Sequence, residues 1–335
     1  LKRQPTRFVW SALNPLKENA MRALHVPAAG APIELGELPT PTASEGTVLV
    51  RVKAAGLNAI DNGIASGMMA GMLPHEYPLV LGRDAAGVVE AVGAGVEGID
   101  VGDEVLGHVL LAPPIQAGTL AEYAVLPAAS VVPKPAGLDF TTAAAIPLAG
   151  AAAAQAVEAV EPQSGQTVLV NGADGGVGSY AVQLLAARGV TVIATGKPES
   201  ADRLRSLGAS TVVDYKTVNV VEAVRAAHPD GVDALVNVGG LDPTAVPAGA
   251  VRNGGKLAST TAVPDDDTLA AAGVTATQIM ARPTRDVVEP LVEQAAAGTL
   301  RIDVAQVLPF DQAASGLATL AAGKANGKLV VQVEG

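Results

Sequence analysis

The sequence predicts an α/β chain in two parts, a compact antiparallel β domain and a doubly wound domain on a parallel sheet. Three observations predict it. From Met21 to about Phe140, short β-branched runs stand between Gly and Pro punctuation. From about Thr167, strand-like and helix-like segments alternate, which implies right-handed βαβ crossovers. With 335 residues, 49% apolar content and a mean hydropathy of +0.34, the chain is long for one core and too apolar for disorder.

In chain order, residues 1–20 stand apart. They carry Lys2, Arg3, Arg7 and Lys17 against Glu18 alone, with the only Trp (Trp10) and one of three Phe (Phe8). The chain does not open with Met, and "MRALHV" at Met21 reads as a natural start. A leader, a tag remnant, a targeting segment or a genuine arm all fit, so 1–20 is treated as an N-terminal extension or tag. It lacks the continuous apolar core of a secretory signal.

The strands of the first domain are read in "TVLVRVKAAGLN", "AAGVVEAVGAGV", "GDEVLGHVL", "LAEYAVLP" and "SVVPKP". The longest apolar run, Ala143 to Ala154, is mostly alanine, contains Pro147 and falls short of the roughly 18 residues of a membrane span. It reads as a buried connection. The alternation that follows runs through "TVLVNG", "GSYAVQLLAARG", "TVIATG", "ADRLRSLGA", "TVVDY", "VVEAVRAAH", "VDALVNVG" and "GKLAST". An exposed edge strand is expected near "VTATQIM", and such an edge invites two-fold pairing. The helix-like "RDVVEPLVEQAAAG", then "RIDVAQVLPF" and "GKLVVQV", form a tail able to return to the first domain.

Charge and composition exclude several functions. A formal charge of -11 and a pI near 4.8 disfavour attraction to phosphate backbones or anionic lipid, so neither nucleic acid nor membrane is an expected partner. With no cysteine there is no disulfide, thiol nucleophile or thiolate metal site.

Chemistry concentrates in "VLVNGADGGVGSYAVQLLAARGVTVIATGK", Val168 to Lys197. Ala173, Gly175 and Gly178 stand at the spacing of a dinucleotide fingerprint, with Ala at the first position. Gly175 lets the main chain approach a pyrophosphate, Gly178 lets the next helix pack close to its strand, and the helix N-terminus offers free N–H groups. Gly176 and Val177 belong to the same turn. NAD sites usually place an acid about 20 residues on, where it binds the ribose 2'-OH. Here that strand ends in Thr195, Gly196 and Lys197, with Arg203 and Tyr215 further on. Those donors suit a 2'-phosphate, so NADPH is expected over NADH, the other reading being that Lys197 and Arg203 are solvated helix charges. Other strand ends add Val238, Gly239, Ser259 and Thr260 as cofactor contacts.

The chain resembles the medium-chain dehydrogenase/reductase superfamily, in particular its zinc-independent quinone oxidoreductase and enoyl reductase branch. The resemblance covers nearly everything from Met21 to Gly335. It is carried by "AAGLNAID", "LGRDAAGVVEAVGAGV", "VGDEVLG", "AEYAV", the Ala-x-Gly-Gly-Val-Gly turn, "LGAS", "VDY" and the closing "GKLVV". It implies a GroES-like catalytic domain over 21–143, a Rossmann NADPH-binding domain over 144–287, and a return to the catalytic domain over 288–335. The cleft between them is the implied active site, with Asn58 facing nicotinamide or substrate and Lys328 at its border. The family's zinc-binding Cys position holds Asn58, and its His-Glu pair is replaced by Arg83 and Asp84. None of His25, His75, His108 and His228 falls at a metal-ligand spacing, so no metal site is expected.

Without a Lewis acid the substrate must supply its own electron sink, as a quinone or an α,β-unsaturated carbonyl does. Asp61 is expected to orient Asn58 or Arg83, Arg83 to act as structural glue or as an anion-stabilising donor, and Tyr77, with His75 beside it, to offer a proton. Three positions depart from the zinc-free branch: Met69 in place of an enoyl reductase's tyrosine donor, Ala152 in place of a threonine, and Ser200 in place of a lysine. The expected protein is a cytoplasmic homodimer reducing quinones or activated alkenes. The alternatives are a dedicated enoyl reductase of a polyketide-type pathway and a non-catalytic NADPH-binding or sensing protein.

Overall fold

The computed structural model of the chain describes residues 20–333. The expected extension over 1–20 lies outside them, except for Ala20, which opens the first strand. That domain runs β1 (Ala20–Val26), β2 (Glu34–Pro39), β3 (Thr47–Gly56), α1 (Ala59–Ala65), β4 (Leu79–Val80), β5 (Asp84–Val92), β6 (Glu104–His108), β7 (Tyr123–Pro127) and β8 (Val131–Pro133). β3 is its long central strand, antiparallel to β5 along most of its length and to β7 along its first half. Val48, Val50 and Val52 on one side and Leu49 on the other are buried, so both faces of the strand are covered.

Two helices follow, α2 (Phe140–Ala144) and α3 (Pro147–Ala159). The alanine run is a buried connection, as its composition suggests, and it is helical. Pro147 suits a first helical position, where a missing N–H costs nothing, and the small side chains let α3 approach its neighbours closely. A Cβ on Gly150 would stand 2.9 Å from Leu291 Cδ1. The shared core passes through this helix, joining Ala54, Ala86 and Leu106 of the β domain to Val170 and Val236 of the second domain.

The second domain comprises β9 (Thr167–Asn171), α4 (Gly176–Ala186), β10 (Thr191–Thr195), α5 (Ala201–Ser206), β11 (Ala209–Val213), α6 (Val220–Ala227), β12 (Val232–Asn237), β13 (Val251–Ser259), α7 (Asp266–Ala272) and β14 (Thr275–Gln278). Its six strands are all parallel, in the order β11-β10-β9-β12-β13-β14. The order reverses between β9 and β12, and a crevice opens at the carboxyl ends of strands at such a point. β14 is the edge, with Thr275, Thr277 and Gln278 exposed.

The tail consists of α8 (Arg285–Ala296), β15 (Val304–Pro309), α9 (Ala313–Ala321) and β16 (Lys328–Gln332). β16 pairs antiparallel with β3, and β15 lies outside it, so the tail does return to the first sheet. That return sets Lys328 opposite the glycine turn. Among the described residues, no helix is long and apolar enough to cross a membrane.

Candidate active site

The glycine turn joins β9 to α4. The residue in the left-handed region is Gly172 (φ 84°), not Ala173, so the tight turn begins one residue earlier than the fingerprint spacing suggests. A Cβ on Gly172 would stand 2.7 Å from Gly239, because the turns after β9 and β12 touch across the switch point. A Cβ on Gly178 would stand 2.3 Å from Gly172 O, the close helix-to-strand approach that the spacing calls for. Gly175 begins α4 with no side-chain cap, leaving first-turn N–H groups for an anion.

The strand ends below are tied by a polar chain. Thr195 Oγ1 donates to Asn171 Oδ1 (2.9 Å), Asn171 Nδ2 to Asn237 Oδ1 (2.8 Å), and Asn237 Nδ2 to Ser259 Oγ (2.9 Å). Gly172 N closes the chain by donating to Thr195 Oγ1 at 2.9 Å. Four adjacent strands are thus pinned beneath the turn. The hydroxyls of Thr195 and Ser259 bond protein rather than pointing at a ligand.

Across the crevice stands a second network. Asn58 caps α1, and Asp61 Oδ2 accepts from its backbone N–H at 2.8 Å. Its side chain is fixed from both sides, with Oδ1 accepting from Lys328 Nζ (2.7 Å) and Nδ2 donating to Asp84 Oδ2 (2.9 Å). Asp84 also accepts from His108 Nδ1 (2.8 Å) and from the Leu148 N–H (3.1 and 3.2 Å). It therefore caps α3 from another strand, as a carboxylate at a helix N-terminus does. Lys328 Nζ also donates to Leu57 O at 2.9 Å, and its stem lies over Gly176, where a Cβ would meet its Cδ at 2.6 Å. Burial holds the Lys328 ammonium below the usual lysine range, against the pull of Asp84 and Asp61. Burial pushes the Asp61 carboxyl up to about 7, with Arg83 as the main opposing influence.

Between the two networks lies a cleft of ≈ 800 Å³, large enough for a dinucleotide. Among the residues singled out from sequence, it brings together Asn58, Gly175, Gly176, Val177, Thr195, Lys197, Tyr215, Val238, Gly239 and Lys328. Ala173, Gly196, Arg203, Ser259 and Thr260 do not line it. Ala173 is fully buried behind the turn, and Gly196 packs towards Leu204. The Arg203 guanidinium pairs with Asp303 (3.1 Å) and donates to Asp174 O (2.7 Å). Thr260 donates its N–H to Asn237 O.

Three of the four catalytic candidates also stand away from the cleft. Asp61, in the first turn of α1, is fully buried. Arg83 is buried and donates to the Val80 and Ala117 carbonyls, so it ties loop to strand. Its guanidinium is held below its ordinary range by burial. Tyr77 is half-buried against the β-domain core with its ring 6.3 Å from that of His75. Sequence reasoning passed over Asn171, Asp174, Asn219, Thr244 and Leu320, which do line the cleft. Asn171 and Asp174 were visible at the strand end and inside the glycine turn; the others sit on segments whose local pattern says nothing of where the chain returns.

The uncapped start of α4 behind the side-chain-free Gly175 fits a nicotinamide dinucleotide's pyrophosphate. The zinc positions fit zinc poorly. Both polar ends of Asn58 and both oxygens of Asp84 are already bonded, and Arg83 is a cation. Among the described residues, no three His, Cys, Asp or Glu side chains form a metal-sized group.

Two family models match, the alcohol dehydrogenase GroES-like domain over residues 44–136 and the zinc-binding dehydrogenase over 207–331. The chain is 31% identical to a chloroplast envelope quinone oxidoreductase homolog of Arabidopsis thaliana, covering 91% of this chain and 94% of that protein. It is 32% identical to an NADPH-dependent alkenal/one oxidoreductase of the same plant, over 87% of this chain and 73% of that one. The solved quinone oxidoreductase of Coxiella burnetii superposes with a TM-score of 0.85 at 26% identity, covering 94% of this chain and all of that one (100%). With its β domain, inserted parallel sheet and returning tail, the chain belongs to the medium-chain dehydrogenase/reductase superfamily, among its quinone oxidoreductase-type members.

Proposed function

We propose that the chain is a zinc-free, NADPH-dependent reductase that passes hydride to a quinone or an α,β-unsaturated carbonyl. The observation that carries this reading is the cleft itself, where an uncapped helix start and glycine turn face an Asn58 locked by Lys328 and Asp84. The names of the two plant relatives, a quinone and an alkenal/one oxidoreductase, point to the same substrate class. Bound nicotinamide supplies hydride from its C4. The chain's share is to seat the pyrophosphate on α4, hold Asn58 in one orientation, and line the cleft with Leu57, Ala149 and Leu320, which exclude water.

Residues 21–143 and 288–335 make the substrate-side lobe in this reading, and 144–287 the nucleotide lobe. NADPH is preferred on the strength of Lys197, Tyr215 and the absence of an acid at 195–197. A cytoplasmic location is part of this reading, and a homodimer joined edge to edge is supported by the exposed β14. Fluorescence titration of NADPH, followed by absorbance at 340 nm with a panel of quinones, enones and saturated ketones, tests the function. Oxidation by the first two classes alone is expected. Tight binding with no turnover of any acceptor would instead favour a non-catalytic binding protein.

A further inference from the structure

The strand that ends in Thr195 lacks the acid that reads a ribose in NAD sites, yet a carboxylate occupies that corner. It comes from the glycine turn. Asp174 lines the cleft, is only 9% exposed, and its Oδ2 accepts from Lys197 N at 3.3 Å, at the tip of β10. Leu204 fills the space that a side chain at Gly196 would take, and the Asp174 Cβ stands beside it, 3.7 Å from where a Gly196 Cβ would be.

The cations nearby are already bonded, yet Lys197 at the cleft wall and Lys216 beside it are still cations, so a 2'-phosphate meets both signs there. Arg203 pairs with Asp303 and bonds the Asp174 carbonyl, and Lys197 Nζ donates to Gly323 O (2.9 Å) and Asn326 Oδ1 (3.3 Å) on the returning tail. Lys216 Nζ stands 5.3 Å from the ring centroid of Tyr215, another cleft residue. Burial raises the Tyr215 phenol most, and the nearby carboxylates Asp174, Asp214 and Glu199 raise it further.

We propose that Asp174 is the selectivity residue for the cofactor, accepting hydrogen bonds from the adenosine ribose hydroxyls of NADH and repelling the 2'-phosphate of NADPH. The cleft then admits both dinucleotides and prefers NADPH only modestly. The proposal rests on the nicotinamide reading above. A carboxylate within a few Å of a phosphate that carries nearly two charges changes affinity by roughly 10-fold to 100-fold at protein-surface screening.

The test is direct binding, without turnover: dissociation constants of NADPH and NADH by fluorescence, and of adenosine 2',5'-bisphosphate and 5'-AMP by calorimetry. Wild type, Asp174→Asn and Asp174→Ser are compared, with circular dichroism to show that each folds. Asp174→Asn keeps the volume and removes the charge. The expected result is a wild-type NADH/NADPH Kd ratio within about 10-fold, rising at least 10-fold in both variants, with the bisphosphate gaining in parallel. A ratio unchanged within about two-fold while both dinucleotides bind overturns the proposal alone, as does a wild-type preference for NADPH beyond about 100-fold. Failure of wild type to bind either dinucleotide overturns it together with the cofactor assignment.

Discussion

Replacing Asp84 by Asn should loosen the joint between the two lobes. Three donors converge on this fully buried carboxylate: Asn58 Nδ2 at 2.9 Å, His108 Nδ1 at 2.8 Å and the Leu148 N–H at 3.1 Å. They come from the start of α1, from β6 and from the first turn of α3. An Asn side chain keeps the volume but turns an NH2 toward one of these groups. Either a buried donor then goes unpaired or His108 must switch tautomer to accept, and in both cases the charge-assisted bonds are lost. Hydrogen bonds to a charged group contribute roughly 1.5–3 kcal/mol each, and breaking a buried charged cluster costs about 3–5 kcal/mol. Lys328 would also lose the largest attraction that offsets its burial. The expected result is a fall in Tm of roughly 6 °C or more by differential scanning fluorimetry. Cofactor affinity should weaken about 10-fold, because Asn58 is freed at the cleft wall. A Tm within about 2 °C of wild type, with unchanged affinity, would refute the reasoning that Asp84 joins the lobes.

Other substitutions test single steps. Gly178→Ala places a Cβ 2.3 Å from Gly172 O and 2.5 Å from Ala173 Cα. Backbone cannot yield there, so a loss of about 1–3 kcal/mol by urea unfolding and at least 10-fold weaker dinucleotide binding are expected. Gly137→Ala, with nothing within 4 Å, is the silent control. Asp61 gives the pH dependence. Its folded carboxyl titrates near 7 against 3.8 when unfolded, so the folded chain holds the proton more tightly. That stabilisation is full below about pH 3.8 and is lost as pH rises through about 7; a displacement of about three pH units is on the order of 4 kcal/mol. Urea midpoints from pH 5 to 8.5 should fall in wild type and stay flatter in Asp61→Asn; parallel curves would contradict the assignment.

Much of the fold was legible because it is written in local periodicity. The alternation from "TVLVNG" to "GKLAST" lies on the parallel strands and their helices, and the switch point follows from their order. The alanine run was legible as buried but not as helical, because small side chains give no strong helical periodicity; their size is explained by the packing of α3 against α4 and α8. At the site, residue types were easier to read than directions. Thr195 and Ser259 stand at strand ends as expected, but their hydroxyls complete a chain through Asn171 and Asn237 whose members are far apart in sequence. Arg203 is cationic as read, yet Asp303, 100 residues on, claims it. Lys328 and Leu320 reach the cleft only because the tail returns beside β3, a long-range event without a local signature.

The measurement closest to the central claim, that the electron sink resides in the substrate and not in a metal, is label transfer from NADPH carrying deuterium at both C4 positions. The enzyme, stripped of metal with a chelator, is given an enone and, separately, a simple secondary alcohol with NADP⁺. The account predicts one deuterium on the carbon β to the enone carbonyl, at a rate unaffected by added zinc, and no oxidation of the alcohol. Unlabelled product, or alcohol oxidation that appears when zinc is restored, would contradict it.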